Sequence, residues 1–408
     1  MNNNNQAEEL SSSYRGWPIF SPVQALSSLC FGRGESAVDP QKIISLCLIS
    51  FGIFLSMAYL FGHFDINGFT YTHYLFNYEN GFIKRGLVGT AFLLSDIVPT
   101  KAAANAFAAG LFVLIAFTVT VLLFRPALKF REMSGLWIFG VVAITHNATI
   151  QHYLRDFGRF DGLGLILMFV GIIVVERLRQ SFALCFVLLI YLFGMMSLVH
   201  EANFLAFAPP VIGLYAYIHR DENPLWRVIA LLAAATAITF VIARAGVVTE
   251  AQMQAMLSKA ESQFGDLYDD GFNVLTRDFS ENLKITFEAL TRSKVALIRN
   301  LWLLILTIPL YRLLKPVLKS IMKRGKWAAI SLLMSPSALS LHLIGIDHIR
   351  WNALAISNCL IFLGALALHD EDIRQQINEI CLAKKKLAMG TIMLAIVTGP
   401  FGVLSVGW

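Results

Sequence analysis

The stretch QHYLRDFGRFD, residues 151–161, places two acids and two arginines between two strongly apolar runs. A charged side chain in the hydrocarbon of a bilayer costs roughly 3 kcal/mol or more unless it faces water or a partner. We therefore expect this stretch to lie at a membrane surface, where two membrane-spanning helices end. Its charged residues are Arg155, Asp156, Arg159 and Asp161.

Composition places the rest of the chain in the membrane as well. Of the 408 residues, 56% are hydrophobic and 15% are charged, and the mean hydropathy is +0.63, whereas a soluble domain carries about 25% charged residues. Apolar runs of about 17–23 residues recur, and such runs can cross a bilayer as helices. The sequence predicts an all-α, polytopic membrane helix bundle (42–408) behind a polar tail (1–41). About eleven transmembrane helices are predicted, at 43–61, 103–124, 136–148, 162–175, 182–199, 202–218, 228–245, 295–314, 327–346, 353–368 and 387–406.

Basic residues in alternate loops indicate how the bundle is oriented. Blocks of Lys and Arg follow the second, fourth, sixth, eighth and tenth predicted spans, and the positive-inside rule makes such loops cytoplasmic. The N-terminus is then cytoplasmic, and the main outer loops of this multi-pass protein of the plasma (inner) membrane are 62–102, 149–161 and 247–294. The net charge of +6 reflects this topology and does not indicate nucleic-acid binding.

All of the unusual polar clusters fall on the predicted outer side, and we expect them to form one site there. A carboxylate at such a site can act as a general base, and Arg or Lys can hold a phosphate group. The candidate catalytic acids are Asp65, Glu79, Asp156 and Asp161. The candidate substrate-binding and phosphate-binding residues are Lys84, Arg85, Arg155, Arg159, His200, Glu201, Asp347, His348 and Arg350.

The layout of about residues 43–200 resembles the GT-C class of integral-membrane glycosyltransferases. One span leads to a long first outer loop with an acid near its start and a short surface helix, and a second acidic motif follows the third span. The resemblance implies that an acid of the first outer loop is the catalytic base, with Asp65 in the best position and Glu79 in the second. It also implies that Lys84 and Arg85 contact a carrier phosphate, and that an acid of the second outer loop binds metal or donor phosphate.

These expectations describe an enzyme that transfers a sugar from a polyprenyl-phosphate carrier at the outer leaflet to a cell-envelope glycan or lipid acceptor. Membrane lipids are its other partners, and Mg²⁺ or Mn²⁺ would suit a site of carboxylates and phosphate. No phosphate-binding P-loop, dinucleotide fingerprint or nucleophile elbow occurs in the sequence, which disfavours ATP-driven transport and soluble-type catalysis.

Two other functions stay open. The outer loops are also similar to those of O-antigen and exopolysaccharide polymerases, with 247–294 as the late outer loop and Arg277 and Arg292 as its candidate arginines. A transporter or lipid flippase is the third hypothesis. Against it, the charges gather at one surface while the centres of the spans are nearly free of charge, a distribution that favours chemistry at one leaflet.

Each cluster also has a purely structural interpretation. Lys84 and Arg85 could anchor a helix at the lipid headgroups, 155–161 could be an ion-pair network that locks two helix ends, and 200–201 could cap helix ends. A metal bound by histidine is a further alternative, and its candidate ligands are His146, His200, His342 and His348.

Overall fold

The computed structural model describes residues 65–399 except 266, 268, 278, 293 and 346, together with Leu48 and Gly52. All regular secondary structure in that part of the chain is helical. Its α-helices are α1 (Gly68–Tyr74), α2 (Leu87–Leu94), α3 (Lys101–Lys129), α4 (Ser134–Thr145), α5 (Ile150–Arg155), α6 (Asp161–Arg177), α7 (Phe182–Val199), α8 (Glu201–Ile218), α9 (Leu225–Ala245), α10 (Glu250–Phe264), α11 (Asp269–Asn273), α12 (Phe279–Arg292), α13 (Lys294–Lys323), α14 (Lys326–Met334), α15 (His348–His369), α16 (Glu371–Ala383) and α17 (Lys385–Thr398). Short 3₁₀ turns lie at Tyr78–Asn80, Arg220–Glu222 and Ser337–Leu343.

Four of the described helices are long and apolar enough to cross a membrane: α3, α7, α9 and α15. They coincide with the predicted spans at 103–124, 182–199, 228–245 and 353–368, so the prediction of an all-α chain with membrane-length helices is confirmed to this extent. The predicted tail and, apart from Leu48 and Gly52, the first predicted span lie outside the described residues.

Other predicted spans are shorter or broken in the structure. The run 136–148 forms only the 12 residues of α4, and 327–346 forms the 9 residues of α14 followed by a 3₁₀ turn that begins after Pro336. Proline has no backbone N–H to continue a helix, which explains the break. The total of about eleven spans therefore stays a prediction.

Helix α8 forms the centre of the described bundle. It packs against α6, α7, α9, α14 and α15, and its aromatic side chains Phe207, Tyr215 and Tyr217 are fully buried. Gly164 brings α6 close to α8, since a Cβ at this position would lie 2.5 Å from the ring of Phe207. The two helices start side by side, because the Asn203 side-chain amide donates to the carbonyl of Phe160 over 3.2 Å.

Three helices begin at this same end of the bundle. Helix α15 packs against α8, and its first turn reaches the start of α6 through Arg350, which lies 3.6 Å from Asp161. The beginnings of α6, α8 and α15 therefore bring together the charged residues that the sequence places before or within those first turns.

Candidate charged site at one end of the bundle

The 151–161 stretch folds as a short helix and a tight turn that leads directly into α6. Helix α5 ends at Arg155, and Gly158 in the turn has φ +81°, a backbone conformation that favours glycine. A Cβ there would also lie 2.5 Å from Ile66. The turn is fixed from outside by the Tyr74 hydroxyl, which donates to the carbonyl of Gly158 over 2.7 Å. As a result, Arg159 and Asp161 face the start of α15.

Two arginines share the carboxylate of Asp347. Arg159 Nη1 lies 2.7 Å and Arg350 Nη1 lies 3.4 Å from Asp347 Oδ2. Arg350 Nε is also 3.6 Å from Asp161 Oδ2, and Arg159 Nε is 3.9 Å from Asp156 Oδ1. The Asp161 side chain is 4% exposed, whereas that of Asp347 is 45% exposed. Partial burial would raise the pKa of the Asp347 carboxyl, but the charges of Arg350 and Arg159 outweigh it and hold that pKa well below its usual range.

A second ion pair lies beside the first group. Arg85 binds Glu201 through two parallel contacts, Nε to Oε2 at 3.0 Å and Nη2 to Oε1 at 2.5 Å. Its Nη1 is 3.2 Å from Nε2 of His73, whose Nδ1 is 2.9 Å from the carbonyl of Phe69. A ring that donates from Nδ1 to this carbonyl can accept from Arg85 at Nε2. Burial, with the charge of Arg85 as the next cause, lowers the pKa of His73 to about 3.

Aromatic and electrostatic contacts join the two groups into one charged cluster. The ring of Phe69 packs against His73, with centroids 4.8 Å apart, and the Arg159 guanidinium lies 5.7 Å from the same ring. The pKa of His200 is lowered well below its usual value, chiefly by burial and then by Arg85, and Arg350 adds to the effect. We use the name charged cluster for His73, Arg85, Asp156, Arg159, Asp161, Glu201, Asp347 and Arg350.

Several buried polar atoms in and around the charged cluster have no hydrogen-bond partner within the described protein. Buried polar groups are normally bonded, and two polar groups more than about 3.5 Å apart can be bridged from the side by a water or a ligand oxygen. The contacts of 3.6 and 3.9 Å given above belong to this class. The unpartnered atoms are Arg159 Nε, Arg350 Nε, Asp161 Oδ2, Asn203 Oδ1 and both ring nitrogens of His152.

Asp65 and Glu79, the two candidate bases of the predicted first outer loop, make their contacts elsewhere. Asp65 pairs with Lys101 at 2.8 Å and accepts from Asn105 at 2.7 Å. The hydrogen bond from Lys101, followed by that from Asn105, lowers the pKa of Asp65. Glu79 pairs with Lys259 at 2.9 Å. Both acids are about half exposed, so the structure does not bring them into the charged cluster, whereas it does bring Asp156 and Asp161 there.

The remaining candidates have varied surroundings. Lys84 is buried, and its Nζ donates to the carbonyl of Arg277 over 2.5 Å. The interpretation that this lysine anchors a helix at the lipid headgroups is therefore wrong. Arg155 is exposed. His200 caps α8 by accepting from the N–H of Ala202 at 3.0 Å, which confirms its capping interpretation.

The described residues contain no group of three or more His, Cys, Asp or Glu side chains that could hold a metal ion. His342 and His348 do meet, with stacked rings and their Nδ1 atoms 2.7 Å apart, but they are only two. A divalent cation at the charged cluster would need phosphate oxygens or water to complete its coordination. The sequence-based expectation of Mg²⁺ or Mn²⁺ stays a prediction.

Sequence reasoning missed two features. His73 falls in the predicted outer loop 62–102, where the structure has helix α1, and nothing in its sequence neighbours marks it as a partner of Arg85. A second set of ion pairs lies about 22 Å away, at the other end of α6. Arg125 there binds Glu176 at 2.6 Å, and Asp370 binds Arg324 at 2.8 Å. The expectation that charges gather at one surface is therefore wrong.

Comparison with known proteins adds no relative to this picture. Protein families, curated proteins and solved structures were compared with the chain, and none gives a significant match. The roles of these residues are therefore argued from their contacts and charges.

Proposed function

We propose that this chain is a multi-pass membrane glycosyltransferase that takes its sugar from a polyprenyl-phosphate carrier at the outer leaflet of the inner membrane. The bundle would have about eleven spans and a cytoplasmic N-terminus. The acceptor would be a growing cell-envelope glycan or glycolipid, and the carrier would reach the site sideways from the bilayer.

One observation carries this proposal: the contacts Arg159–Asp347, Arg350–Asp161 and Arg85–Glu201. Each joins two segments that are far apart in the sequence and that the positive-inside rule assigns to the same outer side. Acids and arginines that are partly or fully buried are expensive to keep in a membrane protein, and such groups are functional candidates by default. The arrangement supplies both the base and the phosphate-binding cations that sugar transfer needs.

Asp161, which belongs to the charged cluster, is a better base than Asp65, which lies outside it. Its Oδ2 is buried and has no hydrogen-bond partner among the described residues, whereas both oxygens of Asp65 accept hydrogen bonds that stabilise the carboxylate. In the proposed step, the acceptor hydroxyl loses its proton to Asp161 and its oxygen bonds to the anomeric carbon. The bond from that carbon to the phosphate oxygen breaks, and its electron pair leaves with the carrier phosphate, which arginine stabilises.

A polymerase is the second candidate, and one specific observation favours it. The segment after α9 packs onto the first outer loop, because Lys84 Nζ binds the carbonyl of Arg277 and Lys259 binds Glu79. A late outer loop that closes over the site would suit an enzyme that joins two lipid-linked glycans. If the protein is a polymerase, cells with an inactive variant would show single repeat units but no chains on a glycan gel.

The test is Asp161→Asn expressed at the wild-type level in cells that lack the native copy. We expect loss of the glycan product, seen on a gel of envelope polysaccharide, with the protein still present in the membrane fraction. Asp372→Asn is the matched control, because Asp372 is an exposed acid that pairs with Arg324 away from the charged cluster. Normal glycan in Asp161→Asn cells would reject the proposed site.

A further inference from the structure

Asp347 is an unusual member of the charged cluster because it is the most exposed carboxylate there and it holds two arginines at once. Its Oδ2 lies 2.7 Å from Arg159 and 3.4 Å from Arg350. Its side chain is 45% exposed, against 19% for Arg159 and 10% for Arg350. A half-exposed carboxylate that covers two less exposed guanidinium groups stands where an anionic ligand from outside would meet them.

The arginines have further unused capacity. Arg159 Nε and Arg350 Nε are buried and have no hydrogen-bond partner within the described protein. Their contacts with Asp156 and Asp161 are 3.9 and 3.6 Å long, beyond normal hydrogen-bond length. Guanidinium groups bind phosphate through paired N–H donors, and a phosphate offers three acceptor oxygens where the carboxylate of Asp347 offers two.

Asp347 also lies where its carboxylate could serve as a helix cap. It is the residue before the first turn of α15, and its side chain makes no capping hydrogen bond. Aspartate at this position normally accepts from backbone N–H groups of the following turn, where the helix dipole favours negative charge. A carboxylate released by the arginines could cap α15 once the backbone of Asp347 turns from ψ +53° to the extended range that a capping residue adopts.

From these contacts we infer that Asp347 is a displaceable counter-ion, and that the phosphate group of a ligand replaces its carboxylate between Arg159 and Arg350. The identification of that ligand as a phosphate-bearing lipid rests on the proposed function. The displacement itself follows from the geometry of the three side chains. Asp347 then opposes phosphate binding, although it lies among the arginines that make the binding possible.

The inference predicts that a substitution within the binding site strengthens phosphate binding. Asp347→Asn removes the competing charge and keeps a good capping residue. We expect it to bind farnesyl phosphate about tenfold more tightly than the wild type, the effect of losing one charged hydrogen bond that competes with the ligand. Arg159→Gln and Arg350→Gln should each weaken that binding by at least about tenfold.

Binding is measured with the full-length protein in nanodiscs, using farnesyl phosphate and inorganic phosphate as separate probes. If only farnesyl phosphate responds to Asp347→Asn, the ligand is a phosphate-bearing lipid, and if both respond, the site recognises phosphate alone. Asp347→Ser, also neutral and a good capping residue, replaces Asp347→Asn if that variant does not fold. Asp372→Asn is the control and should leave binding unchanged.

Unchanged or weaker binding in the neutral variants at position 347 would overturn the inference. Its failure is distinguishable from failure of the proposed function, because binding is measured without sugar transfer. Tighter phosphate binding together with normal glycan in Asp161→Asn cells would keep the displaceable counter-ion and reject the glycosyltransferase. Lost glycan in Asp161→Asn cells, with unchanged phosphate affinity in the variants at position 347, would keep the glycosyltransferase and reject the displaceable counter-ion.

Discussion

Arg85 and Glu201, which are 116 residues apart in the sequence, meet in a two-pronged salt bridge with N–O distances of 3.0 and 2.5 Å. The pair joins the predicted first outer loop to the start of α8, the central helix of the described bundle. Taking two charges out of water is costly, and the cost is recovered only when geometry and additional hydrogen bonds are good. Arg85 also contacts His73 and has φ +64°, so its backbone and side chain are both held in a specific position.

Removing one partner of this pair should destabilise the protein strongly. We expect Glu201→Gln to lower the free energy of unfolding by about 3–5 kcal/mol, because it leaves the Arg85 charge buried without a counter-ion. The measurement is thermal unfolding of the detergent-solubilised protein. Glu79→Gln breaks the exposed pair with Lys259 and should change stability by about 1 kcal/mol or less. Equal effects of the two substitutions would contradict the buried ion pair.

The part of the fold that the sequence predicts best is the part that hydrophobicity alone determines. Helices α3, α7, α9 and α15 follow from long apolar runs, since only a helix satisfies its own backbone in hydrocarbon. The break at Pro336 could have been predicted from proline chemistry. Asp65 pairs with Lys101 and not with Arg85 because tertiary packing decides which side chains lie within reach. The periodicity of the sequence carries no information about such partners. The burial of His73 also results from tertiary packing, so sequence patterns do not predict it either.

Acid should destabilise the protein through the same region. The pKa of His73 is about 3 in the folded protein, because burial and then Arg85 disfavour its charged form, and about 6.5 in the unfolded chain. Below pH 6.5 the unfolded state binds a proton that the folded state does not, so stability falls as the pH drops. For this histidine the loss is about 1.4 kcal/mol per pH unit.

The pH dependence is checked by thermal unfolding between about pH 7 and pH 5, the range in which this linkage acts. His73→Asn should flatten the dependence, because asparagine does not titrate. His200 adds to the wild-type slope, since its pKa is lowered in the same direction. A slope that is identical in His73→Asn and the wild type would show that His73 does not carry this effect.

The turn before α6 gives a prediction about backbone strain and packing. Gly158→Ala should be strongly destabilising, since it forces a non-glycine residue to φ +81° and puts its Cβ 2.5 Å from Ile66. Gly81→Ala has a positive φ but no atom of the described residues within 4 Å of the new Cβ, so it should show strain of about 1–3 kcal/mol and no clash with them. Gly110→Ala has neither problem and should be neutral or slightly stabilising. Thermal unfolding should rank the three variants in that order, and a Gly158→Ala protein as stable as Gly110→Ala would contradict the turn.

The proposed function predicts that the ion pairs at the two ends of α6 respond differently to substitution. Glu176→Gln at the far end leaves Arg125 buried without its partner, so we expect a loss of about 3–5 kcal/mol in stability. The glycan made per folded molecule should stay near the wild-type level, because the substitution is about 22 Å from Asp161 along the helix. For Asp161→Asn we expect the reverse pattern: the variant folds, but glycan assembly stops. Envelope glycan on a gel, normalised to folded protein in the membrane, separates the two outcomes. Loss of glycan in both variants at equal amounts of folded protein would mean that the far end also takes part in function, as a transporter or flippase with a polar path between both faces requires.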